Sequence, residues 1–158
     1  MLYSRLKQSR SFRSSTFFTW KRRIFGKFAF AVGRDDEAGY SAHAEGRNNK
    51  ALRDNTHVEG RNTIANAIEA HAEGFNTTAN GRASHAEGWY TIANGAKSHA
   101  EGNYTQTNND AEHACGTFNK STQSSDKSQA TQFSVGIGTS DTNRKNAFEI
   151  RQNGDIYI

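Results

Sequence analysis

At 158 residues the chain has the length of one domain, but a mean hydropathy of −0.89 and only 24 Leu, Ile, Val and Phe residues leave it too poor in large apolar side chains for an ordinary globular core. The net charge of +4 is unevenly spread, since residues 1–34 carry nine Lys or Arg and no acid, and the rest carries eleven basic against sixteen acidic residues. No stretch approaches the length of a membrane span, no signal peptide is expected around the short apolar run from Ile24 to Val32, and the single cysteine, Cys115, excludes a disulfide within the chain.

The N-terminal 34 residues hold eight of the seventeen aromatics, interleaved with the positive charges. This arm, with Arg13, Phe17, Phe18, Trp20, Lys21, Arg22, Arg23 and Phe25, is read as a docking segment for other structural proteins of a larger assembly. Nucleic-acid binding is the less favoured reading, because no recognised motif accompanies the basic residues.

From residue 35 to 116 the chain is a repeat. All six histidines, His43, His57, His71, His85, His99 and His113, recur every 14 residues, and all but the last stand in a His-Ala-Glu-Gly or His-Val-Glu-Gly tetrad. Gly46, Gly60, Gly74, Gly88, Gly102 and Gly116 form a second column, expected to mark one corner of a coil, with Gly81 and Gly95 at an opposite corner seven residues on. Each arm of seven should hold about five extended residues and a two-residue turn. The result is a two-sided parallel β-roll, with alternating Ala and Ser facing a narrow interior and His and Glu facing outward. A heptad coiled coil is excluded by the missing apolar seam and the recurrent glycine. Thr63, Thr77, Thr91 and Thr105 are expected to fill the roll rather than form an exposed ice-binding face.

Residues 117–133 read as a polar linker or irregular coil, and 134–158 as a last coil and a hairpin. Asn153-Gly154 between Phe148 to Arg151 and Asp155 to Ile158 predicts a type I′ turn.

The rows Ser84-His85-Ala86-Glu87-Gly88 and Ser98-His99-Ala100-Glu101-Gly102, alternating with Thr77 to Gly81 and Thr91 to Gly95, resemble the haemagglutinin-type head repeat of trimeric autotransporter adhesin heads and bacteriophage tail or fibre proteins. That resemblance, over roughly residues 28–140, implies a left-handed parallel β-roll and side-by-side association of three chains. In that family Val and Ile stand where this chain has His and Glu. Ser134-Val135-Gly136-Ile137-Gly138 resembles the apolar version, and Phe30-Ala31-Val32-Gly33 fits it one residue out of register. Residues 147–158 resemble the segment that precedes a cleavable intramolecular chaperone in phage tail proteins.

The resemblance implies a trimer seam built from His43, Glu45, His57, Glu59, His71, Glu73, His85, Glu87, His99, Glu101 and His113, with Phe30, Val32, Val135 and Ile137 at its ends. Each His would donate to a Glu of a neighbouring chain. A metal site is not expected, because the ligands form a ladder of equivalent rungs instead of converging on one point. No cofactor is expected, and no nucleophile elbow, P-loop or carboxylate pair suggests an enzyme. The expected role is structural: a homotrimeric fibre or spike segment of a phage or phage-like particle that presents a surface to a host glycan or protein. The head of a bacterial adhesin and a nucleic-acid-binding capsid component are the alternatives.

Overall fold

The computed structural model describes residues 23, 24 and 26–158. Of the arm, Arg13, Phe17, Phe18, Trp20, Lys21, Arg22 and Phe25 lie outside these residues, while Arg23 begins a two-residue strand, Arg23–Ile24, that pairs with Glu37–Ala38.

The described chain is all-β apart from a single 3-10 turn, Lys127–Gln129. Parallel coils stack in strict register: His71, His85 and His99 are Cα partners in turn, as are Ala72, Ala86 and Ala100, and Glu73, Glu87 and Glu101. One arm of each coil contributes a five-residue strand, such as His85–Trp89, to a ten-stranded sheet. The other contributes a strand of only two residues, such as Ile92–Ala93, to a seven-stranded sheet. The second arm is thus shorter in strand than expected, because the backbone bends two residues after the inward Ala, as at Gly81 and Gly95. Hydrogen bonds still cross these bends, as from Asn80 N–H to the Ala93 carbonyl at 2.8 Å.

The interior is as narrow as the small-residue columns predicted. Ala44, Ala72, Ala86 and Ala100 from one sheet face Ala51, Ala65, Ala79 and Ala93 from the other, all fully buried. Thr63, Thr77, Thr91 and Thr105 are also fully buried, so they fill the roll. A buried methyl is worth only about 0.8 kcal/mol. Such a core must therefore lean on its backbone ladder.

The polar residues at the ends of these columns are also interior. Asn49 and Asn119 stand in the Thr column at its two ends and are fully buried. Asn49 accepts from the N–H and hydroxyl of Thr63 and donates to the carbonyls of Glu45 and Gly60. Asn119 accepts from the N–H of Gln106 and donates back to its carbonyl. An amide has two hydrogens to donate besides its acceptor oxygen, so it can pair several backbone groups at once where a threonine hydroxyl has a single proton to give.

Gly81 and Gly95 do open the bends of the second corner, but the first corner lies beyond the glycines expected to mark it. Gly46 to Gly116 sit inside the five-residue strands, with φ between 89° and 123°. The bends themselves occur at non-glycine residues in the left-handed region: Asn48, Asn62, Asn76, Tyr90, Tyr104 and Phe118 on one edge, and Ser41, Asn55, Glu69, Ala83, Lys97 and Ala111 on the other. Each is held by its own N–H donating to the preceding coil, as from Tyr90 to the Phe75 carbonyl at 2.8 Å. A ladder bond at every corner offsets the local cost of the positive φ. Gly81 and Gly95 have no such φ. They serve close packing, since a Cβ on Gly81 would collide with the Gly95 carbonyl.

The roll begins before residue 35, because Phe30–Arg34 pairs in parallel with His43–Arg47. At the other end the segment 117–133 caps the roll. Glu112 occupies an interior position fourteen residues after Ser98, the Ser121 hydroxyl donates to its carboxylate, and Thr122 N–H donates to the Thr131 hydroxyl. Thr131–Ile137 then adds one more parallel strand beside His113–Thr117, and Asn146–Arg151 and Ile156–Tyr157 finish the sheet antiparallel.

The terminal hairpin is present, but its turn differs from the type I′ expectation. Gly154 has φ of 88° while Asn153 keeps a negative φ, Gly154 N–H donates to the Arg151 carbonyl, and Arg151 N–H donates to the Asp155 carbonyl. That is a three-residue loop with a glycine bulge. Asn153 instead uses its side chain, accepting from Asp155 N–H at 2.9 Å.

Candidate functional site

Strand alternation turns the His and Glu columns outward on the ten-stranded sheet, and the constant register stacks the imidazoles. Ring centroids from His43 to His99 are 4.5–4.7 Å apart with interplanar angles of 4–9°, and His113 continues the stack at 4.8 Å. Phe30 meets His43 edge-on at one end, and Phe133 meets His113 edge-on at the other.

Phe133 was not among the expected seam residues, and its place corrects the register of the last coil. Phe133 pairs with His113, Val135 with Cys115 and Gly136 with Gly116, so Ile137 falls beyond the glycine, opposite Thr117. The sequence match put Val135 in the His column and Ile137 in the Glu column. The glycine column decides otherwise: Gly116 has room only for backbone where Gly136 approaches, so the two glycines must stack. Phe30 and Val32 do lie in the His and Glu columns, and both are exposed.

Every histidine carries an Nε2 that is screened from water and has no hydrogen-bond partner. The nearest carboxylates are on the same chain: His43 to Glu45 at 3.6 Å, His57 to Glu59 at 3.8 Å, His71 to Glu73 at 3.7 Å, His99 to Glu87 at 3.4 Å and His113 to Glu101 at 3.5 Å. Beside them runs an open groove of about 520 Å³, lined by Glu59, Glu73, Glu87 and Glu101 and by the bare backbone of the glycine column, with Cys115 at its end. Burial raises the Cys115 thiol pKa, helped by the Glu101 charge, so the thiol stays protonated and is a weak nucleophile.

Burial within the stack lowers the pKa of His71, His85 and His99, and for His71 and His99 a neighbouring imidazole adds to the effect, while the flanking glutamates oppose it. The folded state therefore binds protons less readily than the unfolded chain, whose histidines titrate near about 6.5. Stability should be constant above that value and fall as the pH drops below it. In a chelating buffer, the melting temperature should decline from pH 7.5 to 5.5, and the variant His71→Gln/His85→Gln/His99→Gln should show a flatter profile. Identical profiles would mean that the stack does not set the acid response.

A second ladder follows the corner edge. Phe75 stacks on Trp89 at 4.2 Å, and Tyr90, Tyr104 and Phe118 stack at 4.6 Å, with the Arg61 and Arg144 guanidinium groups over the terminal rings. In each stacked pair the rings cover one another's faces, so these side chains act chiefly as a spine for the corner, as the amides of Asn66, Asn80, Asn94 and Asn108 do on the other sheet. The sequence reading missed the aromatic ladder, although Tyr90, Tyr104 and Phe118, and likewise Phe75 and Trp89, share the 14-residue period.

No helix among the described residues is long and apolar enough to cross a membrane. No family model, curated protein or solved structure matches this chain.

Proposed function

We propose that the chain is a structural fibre or spike segment of a phage or phage-like particle, that three copies associate side by side through the His and Glu flank, and that the assembly presents a surface to host glycans or proteins. The observation that carries this reading is the flank itself. A straight column of imidazoles, each with an unpaired Nε2, runs the length of the roll and ends in half-exposed or exposed Phe30, Val32, Phe133 and Val135. Buried polar atoms without partners are costly, and an interior of alanine, serine and threonine provides little stability to offset them. A neighbouring chain laid along the groove would supply partners and bury the apolar ends. Weak contacts to a receptor would then gain avidity from three copies held in parallel. The basic arm is suited to anchoring the segment in a larger assembly.

Sedimentation of the full chain should give a particle of three times the 17.5 kDa chain mass. The double variant Phe30→Asp/Val135→Asp should shift it toward single chains, because it places charges at both ends of the seam. A wild-type chain that sediments as a monomer at micromolar concentration would refute the association. Imaging of native particles with an antibody to the roll tests the location.

A further inference from the structure

The rungs of the histidine ladder are not equivalent. Six imidazoles share only five carboxylates, because Val32 and Cys115 occupy the Glu column at its two ends. From the N-terminal end, His43, His57 and His71 each approach the glutamate of their own rung. From the C-terminal end, Cys115 offers no carboxylate, so His113 reaches back to Glu101 and His99 back to Glu87. The two patterns meet at His85. Glu73 lies beside His71 at 3.7 Å and Glu87 beside His99 at 3.4 Å, and among the described residues His85 has no such close carboxylate of its own although it stands between both acids. Its Nε2 is buried without a partner.

Donor atoms of His71, Glu73 and His85 lie within 4.8 Å of one another, and so do those of His85, Glu87 and His99. The N···O separations along this flank, 3.4–3.8 Å, are too long for hydrogen bonds, which want about 2.7–3.2 Å. Two donors bound to one tetrahedral zinc at the usual bond lengths sit about 3.4 Å apart. The gaps on the flank are therefore of the size an ion fills. The side chains of His71, Glu73, Glu87 and His99 are each about one-third exposed, which leaves them free to rotate the remaining distance.

We propose that this flank binds one divalent ion of the zinc class per chain at His85, completed either by Glu73 and His71 or by Glu87 and His99. Both arrangements need His85, so they exclude each other and the stoichiometry is one. Imidazole and carboxylate donors suit zinc and its borderline neighbours copper(II) and nickel, and disfavour magnesium and calcium, which take oxygen ligands only. All the protein ligands come from one chain, with water or a neighbouring molecule in the open position. The site therefore does not depend on the association proposed above.

The test is equilibrium dialysis of the full chain, stripped with chelator, against zinc chloride at neutral pH, with oligomeric state followed separately by sedimentation. The expected result is one saturable zinc per chain, weakened at least about tenfold by His85→Gln and unchanged by His57→Gln. Circular dichroism checks that each variant retains its strands. If His85→Gln does not fold, Glu73→Gln/Glu87→Gln takes its place, and loss of zinc from that variant carries the same meaning. Absence of saturable zinc, equal weakening by His57→Gln and His85→Gln, or full retention by a folded His85→Gln or Glu73→Gln/Glu87→Gln would each overturn the proposal.

Discussion

Gly88→Ala should destabilise the roll by about 4 kcal/mol, from positive-φ strain together with backbone displacement. Gly88 has φ of 104°, and a Cβ there would run into the carbonyl of Gly102 on the next coil. Both penalties fall on backbone, so no side-chain rotation relieves them. Because each coil registers the next, the displacement also loosens the Gly74 rung behind it. Gly154→Ala is the control: its φ is 88°, but nothing lies within 4 Å of the added methyl. It should lose only the conformational part, about 1 kcal/mol. Urea denaturation of the two variants distinguishes the contributions, and equal losses would show that inter-coil contact at the glycine column is unimportant.

Glu112→Ala should cost about 3 kcal/mol, because buried donors would lose a shared acceptor. The Glu112 Oε2 accepts from the backbone N–H groups of Asn108 and Asn109, the Asn109 amide and the Ser121 hydroxyl, at 2.8–2.9 Å. Burial raises the pKa of this carboxyl, with the four hydrogen bonds opposing the shift. Its other oxygen makes no hydrogen bond. Geometry at one oxygen therefore matters more than charge. Glu112→Gln, which keeps that acceptor, should lose only about 1 kcal/mol for the new unpaired amide. Hydrogen exchange at residues 106–122 reads the result locally. If Ala and Gln are equally harmful, the negative charge is the essential feature.

Much of the architecture was legible in the spacing. The 14-residue recurrence of His, Ala, Glu and Gly forced equal coils, and the alternation of small with polar residues assigned inside and outside, because strand geometry leaves a side chain only two directions. The buried Thr column followed from the same alternation. Other features were hidden for identifiable reasons. Glycine was read as a corner, yet the corners fall on Asn48, Tyr90 and their column mates, whose positive φ is sustained by an inter-coil hydrogen bond that no local propensity reports. Asn49, Asn119 and Glu112 carried no signal in the sequence, because what buries them is the neighbouring coils.

The seam shows the same division. Spacing along the chain establishes six imidazoles and five carboxylates in register, hence one histidine too many. It says nothing about which one. That depends on side chains choosing between two neighbouring rungs, a choice propagated inward from Val32 at one end and Cys115 at the other until the patterns collide at His85. Likewise Val135 and Ile137 carried an apolar motif whose register could be counted two ways, and only the stacking of Gly136 on Gly116 selected one. Periodicity along the chain determines which residues share a column, because identical coils superpose. The partners within and between columns are decided by backbone clearance and by end effects, which exist only once the coils are stacked.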